Sequence, residues 1–79
     1  MAQNIYQDYT IGPALKRLRE RAGLTQEQVA AQLQIRNIDV SRAIYSQMEM
    51  GIHGIKISVL IALKEIFRAE YADFFADLP

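Results

Sequence analysis

The chain has 79 residues, no cysteine and a single histidine, His53, so it can form neither a disulfide nor a Cys/His zinc site. Hydrophobic residues make up 51% of it, enough for one packed domain and too many for a disordered tail. The formal net charge is zero: residues up to Lys56 carry +2 (seven Lys/Arg, five Asp/Glu), and residues from Ile57 onward carry −2 (two Lys/Arg, four Asp/Glu). This distribution permits a basic face in the first part of the chain. The zero total argues against strong indiscriminate DNA binding.

The N-terminal residues 1–10 are polar, with no basic stretch leading into an apolar run, so no signal peptide is predicted. The longest apolar stretch, Ile57–Leu63, is interrupted by Ser58 and is far shorter than the roughly 20 residues that span a bilayer. The expectation is a cytoplasmic protein with no membrane partner, made of a polar arm at residues 1–11 and one domain at residues 12–79.

Two helices are predicted in the first half of the domain. Pro13 suits a first helical turn, and Gly23 suits the position just after a helix end. Thr25 and Gln28 then form a capping box, in which each side chain accepts a hydrogen bond from the other residue's backbone N–H. Val29, Ala30 and Leu33 are expected on the inner face of this second helix.

The third helix is expected from Ser41 to about Met50. The segment at residues 34–39 before it either lengthens the second helix or turns, and Asp39 or Ser41 can cap the helix that follows. Tyr45 and Met48 are expected to face inward, and Gly51 ends the helix.

Two more helices complete the prediction. Ser58 is expected to open a fourth helix, with Leu60, Leu63 and Phe67 at core spacing, and residues 71–75 form a short fifth one. The fold class is therefore all-α, a bundle of about five short helices without a convincing strand.

The residues at the start of the third helix fit the reading of base edges in a major groove, which is about 12 Å wide and admits one helix. Arg42 can pair bidentately with guanine, and Gln47 offers the donor and acceptor that adenine requires. Ala43 and Ile44 are apolar enough to meet a thymine methyl group. Thr25 and Gln26 lie at a helix N-terminus, where the dipole and backbone N–H groups favour a phosphate.

These patterns resemble the Cro/C1-type helix-turn-helix family of phage and bacterial repressors, also called lambda repressor-like. The resemblance is carried by LRERAGLTQEQVA at residues 18–30, VSRA at 40–43 and SQMEMG at 46–51, and further on by LIAL at 60–63 and YADFF at 71–75.

The resemblance covers residues 12–78 and implies a sequence-specific transcriptional regulator, a repressor that binds a two-fold-symmetric operator as a homodimer. It implies base contacts by Arg42, Ala43 and Gln47, a phosphate contact by Gln26, and a structural ion pair between Arg19 and Glu49. The full set of candidate DNA contacts is Thr25, Gln26, Ser41, Arg42, Ala43, Ile44, Gln47 and Lys56.

The sequence departs from the family pattern in two places. The link between the second and third helices is about five residues longer than the compact turn of the family. After Gly51, where basic residues are common, stand Ile52 and His53, which leaves Lys56 as the nearest cation. The alternative is therefore a protein-interaction module on the same fold, antitoxin-like or anti-repressor-like, with little DNA affinity.

Other functions have little support in the sequence. No Ser-His-Asp, Cys-His or paired-carboxylate cluster is evident, so we expect no enzyme, no cofactor, no metal and no small-molecule substrate. Lys16, Arg17 and Arg21 are interpreted as an ordinary solvated face. Phe75 and Leu78 form a candidate dimer patch if both are exposed.

Overall fold

The described part of the chain folds into five short α-helices joined by short links. A computed structural model describes residues 9–79 of the chain. Its helices are α1 (Gly12–Arg21), α2 (Gln26–Ile35), α3 (Arg42–Glu49), α4 (Ile57–Phe67) and α5 (Tyr71–Phe75). The predicted all-α class is confirmed. Residues 1–8 of the predicted polar arm lie outside the described residues.

The N-terminal caps of α2 and α3 follow the sequence prediction. The Thr25 hydroxyl accepts a hydrogen bond from the backbone N–H of Gln28, and the Gln28 side chain accepts one from the Thr25 N–H, at 3.1 and 2.8 Å. Ser41 caps α3 by accepting from the Ile44 N–H at 3.2 Å. Each cap typically stabilises its helix by about 1 kcal/mol.

The segment at residues 34–39 resolves into a helix end and a short extended link. α2 stops at Ile35, and Asn37 adopts a left-handed conformation with φ of 60°. The backbone N–H groups of Asn37 and Ile38 then donate to the carbonyls of Gln34 and Leu33, which is the Schellman arrangement. Asn tolerates this conformation better than other residues with a Cβ, so it closes the helix as glycine would.

The predicted start of α4 needs a small correction. The helix begins at Ile57, and its N-cap is Lys56, whose side chain makes no capping hydrogen bond. Ser58, which the sequence suggested as the opening residue, lies exposed inside the first turn. The hydrophobic spacing placed the helix correctly, but its first turn needs no side-chain cap.

The core combines the predicted helical faces with residues from the connecting segments. Tyr45, Phe74, Leu15, Leu18, Leu33 and Leu63 are among its most deeply buried side chains. The Phe67 and Phe74 rings stack with centroids 6.4 Å apart, joining α4 to α5. Ile11, Val40 and Ile55 are also buried, although they lie outside the helices and Ile11 was assigned to the polar arm.

The first turn of α1 lies directly against the end of α3. A Cβ added at Gly12 would collide with the backbone carbonyl of Glu49, so only glycine permits this approach. Thr10 packs over Gly51 in the same region, and its hydroxyl accepts a hydrogen bond from the Gly12 N–H at 2.9 Å. The two contacts fix where α3 ends relative to α1.

The basic residues of α1 meet the acidic C-terminal segment. The Arg17 guanidinium donates to the Asp73 carbonyl at 2.8 Å and lies 3.5 Å from the Asp77 carboxylate. Arg21 lies 3.7 Å from the Asp73 carboxylate. Arg17 and Arg21, interpreted from sequence as a solvated face, thus link α1 to α5, and the two oppositely charged parts of the chain neutralise each other here.

Within residues 9–79, none of the helices is long and apolar enough to cross a bilayer. In the same range, no three acidic or histidine side chains are grouped so that they could hold a metal ion.

Replacing Gly12 with alanine should separate α1 from α3. The overpacked contact is with backbone, which cannot rotate away, so we expect Gly12→Ala to lower the free energy of unfolding by about 2–3 kcal/mol. Gly23→Ala is the matched control, because a Cβ there meets nothing within 4 Å and only the positive φ is strained, at about 1 kcal/mol. Urea denaturation of both variants measures the difference. Equal losses would mean that the close approach at Gly12 contributes nothing.

Candidate nucleic-acid interface

The beginning of α3 presents its side chains to solvent. Ser41 holds the first turn through its hydroxyl, and Arg42 is the first residue of the helix. Arg42 and Ala43 are both exposed. A charged side chain and a small one therefore project from a rigid, capped helix start, which is where a major-groove helix makes its base contacts.

The outer face of α3 continues from Ala43 to Gln47. Residues advance by about 100° around a helix, so Gln47 lies within about 40° of Ala43 when viewed along the axis. Tyr45 and Met48 point the other way and are 0% and 2% exposed. Their burial fixes the rotation of α3 about its own axis, and so decides which residues face outward.

Ile44, also a candidate DNA contact, differs from Ala43 in its surroundings. Its side chain is half-buried and packs against the hydrophobic core, whereas Ala43 is exposed. Ile44 therefore anchors the first turn of α3 to the body of the protein.

Arg19 and Glu49 form a largely buried, bidentate ion pair between α1 and the end of α3. Arg19 Nε lies 2.7 Å from Glu49 Oε2, and Arg19 Nη2 lies 3.2 Å from Glu49 Oε1. The two side chains are only 12% and 5% exposed. Arg19 Nη1 also donates to the Leu24 carbonyl at 2.9 Å, which ties the loop before α2 to the same pair.

The start of α2 joins this cluster through Gln26. Its side-chain amide donates to Glu49 Oε1 at 3.0 Å. Gln26 is half-buried and its amide nitrogen has a second hydrogen, so one N–H is held by Glu49 while the other can still donate. Because Gln26 bonds to Glu49, the start of α2 lies beside the C-terminal end of α3. Thr25 is exposed there, and its hydroxyl can still donate a hydrogen bond after accepting the capping bond.

The environment of Glu49 favours its ionised form. Burial alone would raise the pKa of this carboxyl, but the hydrogen bonds from Arg19 and Gln26 outweigh that effect and hold the pKa below its usual value. The hydrogen bond to Glu49 raises the pKa of Arg19, because its effect is larger than the lowering of the pKa by burial. The pair therefore stays charged at neutral pH.

Lys56 is placed apart from the other candidate residues. It is the exposed N-cap of α4, beyond the loop that follows α3. Thr25, Gln26 and the α3 residues are connected by hydrogen bonds or share one helix, but the described contacts do not join Lys56 to them.

Met50 is also exposed on the outer face of α3, although the sequence analysis predicted no role for it. It is the C-cap of α3, keeps helical backbone angles and is 61% exposed. Its place seven residues after Ala43 is the periodic signal that identifies it as part of the same face.

The helices α2 and α3, joined by the link at residues 36–41 and held by the Arg19–Glu49 pair, now have a counterpart among known proteins. A family model described as a helix-turn-helix domain matches residues 10–73. The chain belongs to the helix-turn-helix domain family. Membership supports a DNA-binding domain, with α2 and α3 as the two helices of the motif. No curated protein and no solved structure matches the helix-turn-helix chain significantly.

Removing the charge of Glu49 should destabilise the whole domain. Glu49→Gln leaves the largely buried Arg19 without its counterion, so we expect the free energy of unfolding at neutral pH to fall by about 2–4 kcal/mol. Because the folded pKa of Glu49 lies below the usual 4.5, the contribution of its charge is complete above that value and is lost as the pH falls through the folded pKa. The difference between Glu49→Gln and the parent should therefore shrink in acid.

Urea denaturation at about pH 7 and about pH 3 measures both effects. Arg21→Gln is the control, because its pair with Asp73 is exposed and should change stability by less than about 0.5 kcal/mol. A Glu49→Gln loss as small as that of the control would contradict the structural role of the pair.

Tyr45 offers a separate test of the packing under α3. Its hydroxyl is buried and makes no hydrogen bond to the described residues, and burial first, then nearby Glu49, raises its pKa far above the usual value. Tyr45→Phe removes an unpartnered polar group, so stability should stay unchanged or rise by about 1 kcal/mol in thermal denaturation. A clear loss of stability would show that the hydroxyl donates to Glu49.

Proposed function

We propose that this helix-turn-helix protein is a sequence-specific transcriptional regulator, a repressor of the Cro/C1 type, that reads the major groove with α3. The observation that carries the proposal is the exposed face of α3, which begins with the capped Arg42 and Ala43 and continues to Gln47. Repression is the simplest consequence, because a protein bound to an operator excludes other proteins from the same DNA.

Each side chain of this face has a base that suits it. Arg42 has no ion-pair partner among the described residues, so its guanidinium is available for a bidentate contact with guanine O6 and N7. Gln47 is half-buried and its amide can pair with adenine, and Ala43 is small enough to meet a thymine methyl group.

Phosphate contacts would flank these base contacts. The α2 N-terminus carries the Thr25 hydroxyl and the Gln26 amide, and its dipole favours an anion. Lys56 adds one cation at the start of α4. Because Arg17 and Arg21 are paired with acidic residues of the C-terminal segment, few cations are available to contact phosphates. Contacts with the bases must therefore supply much of the affinity. With about two cations per protomer and two protomers on the operator, log K of the dimer should fall with log[salt] at a slope of about −4.

Replacing Arg42 tests the placement of the recognition helix. On the site that the parent selects from random duplex DNA, Arg42→Ala should bind about 5- to 150-fold more weakly, which corresponds to about 1–3 kcal/mol. The variant should also lose preference at one base pair. Binding is measured by fluorescence anisotropy on the selected site and on single-base variants.

The control for Arg42→Ala is Arg68→Ala, which removes the same charge at the end of α4. It should retain the parent's base preference. If Arg42→Ala bound and discriminated like the parent, α3 would not be the reading helix.

We also propose that the protein binds DNA as a homodimer, and the outer face of α4 supports this. Ile57 and Ile61 lie one turn apart on this face and are 51% and 45% exposed. The described domain measures 33 × 32 × 20 Å, so two copies related by a two-fold axis are large enough to set their α3 helices at the roughly 34 Å between half-sites. The patch suggested from sequence is less suitable, because Leu78 packs against the core.

A charge in this face should separate the protomers. We expect Ile61→Glu to be monomeric in sedimentation-velocity runs at concentrations where the parent is dimeric, because a carboxylate at a closed apolar contact is costly to desolvate. Ile35→Glu, the same change at a 72% exposed position at the end of α2, is the control. An unchanged dimer in Ile61→Glu would place the interface elsewhere.

The second candidate is the protein-interaction module with little DNA affinity. It is favoured by the neutral net charge and by Ile52, which is 70% exposed just after α3. Failure of the parent to enrich any sequence from random DNA, at low as well as at physiological salt, would favour this candidate over the regulator.

A further inference from the structure

Met50 is a large apolar side chain on a face where the other candidates are polar or small. It is 61% exposed, and its backbone N–H still donates to the Ser46 carbonyl at 3.1 Å. Its backbone angles (φ −80°, ψ −7°) are those of a right-handed helix. Its side chain therefore projects as the next residue of α3 would, before Gly51 turns the chain away.

The helical geometry puts Met50 in line with the base-reading residues. Seven residues after Ala43 amount to two turns, so Met50 lies within about 20° of Ala43 around the axis and about 10 Å further along it. Side chains on a helix lean toward its N-terminus, so the Met50 thioether extends back over the turn that contains Ser46 and Gln47. The Met50 side chain therefore covers the outer face of α3 and does not extend beyond the C-terminal end of the helix.

We propose that Met50 is a specificity-determining residue that contacts the 5-methyl group of a thymine in the major groove. The inference rests on the proposed function and deepens it. It adds an apolar contact at the far end of α3, about three base pairs from the pair that Ala43 meets if α3 lies along the groove.

The chemistry of both partners supports this contact. The thymine methyl is the apolar group that a major groove displays, and it distinguishes A·T from T·A as well as from G·C pairs. Methionine is long, flexible and polarisable, so it can follow such a group at the end of a helix where shorter side chains would not reach. The contact also removes from water an apolar side chain that the isolated domain leaves exposed.

The test replaces thymine with deoxyuridine, which deletes the methyl group and keeps every hydrogen-bonding group. Each thymine of the selected site is replaced in turn, and the dissociation constants of the parent and of Met50→Ala are compared. The parent should lose about fourfold in affinity at one position beyond the Gln47 contact, which corresponds to the roughly 0.8 kcal/mol of one buried methyl-sized group. Met50→Ala should show no loss at that position.

Ile52→Ala is the matched control, because Ile52 is an exposed apolar residue beyond the helix. It should keep the thymine profile of the parent. Far-UV circular dichroism checks that all variants are folded, as expected for substitutions at exposed positions.

Three results would overturn the proposal. If Met50→Ala keeps the parent's deoxyuridine profile, Met50 does not read the methyl group. If it weakens thymine and deoxyuridine sites equally, Met50 lies against the sugar-phosphate backbone. If the parent selects no site at all, the proposed function itself fails and this inference falls with it.

Discussion

The buried pair of Arg19 and Glu49 is the interaction on which the rest of the arrangement depends. It joins α1 to the end of α3, and through the Leu24 carbonyl and the Gln26 amide it also holds the loop before α2 and the start of α2. Removing two charges from water costs free energy, so a largely buried ion pair adds little net stability. This pair instead fixes the geometry of the fold, because its directional hydrogen bonds orient α1, the start of α2 and the end of α3 together, which a hydrophobic contact would not do. The exposed face of α3 is set by this cluster and by the burial of Tyr45.

Much of the fold could be predicted because local signals and periodicity agreed. The Thr25 capping box and the apolar spacing of α4 define helices whatever their tertiary contacts. Residues such as Ile11, Val40 and Ile55 could not be found in this way, because a single buried residue in a connecting segment has no period. The left-handed turn at Asn37 was equally hidden, since asparagine suits several local structures.

The position of the candidate site residues in the fold was predictable in part. The exposure of Arg42 and Ala43 follows from the start of α3, whereas the packing of Ile44 against the core could not be predicted, because only the packed helix shows which side meets the core. The pairing of the charged residues could also be assigned only from the folded structure. The sequence suggested a basic N-terminal part, but Arg17 and Arg21 meet acidic residues of the C-terminal part, so two of its cations are paired within the fold.

We propose that the outer face of α3 is the surface that meets DNA, and a titration of ¹⁵N-labelled protein with duplex DNA, followed by two-dimensional NMR, tests this proposal. The largest chemical-shift changes should fall on residues 41–50, with a second group at Thr25 and Gln26, while the amides of α5 should change little. Changes centred on α4 and α5, or none at all at low salt, would show that DNA does not bind at this face.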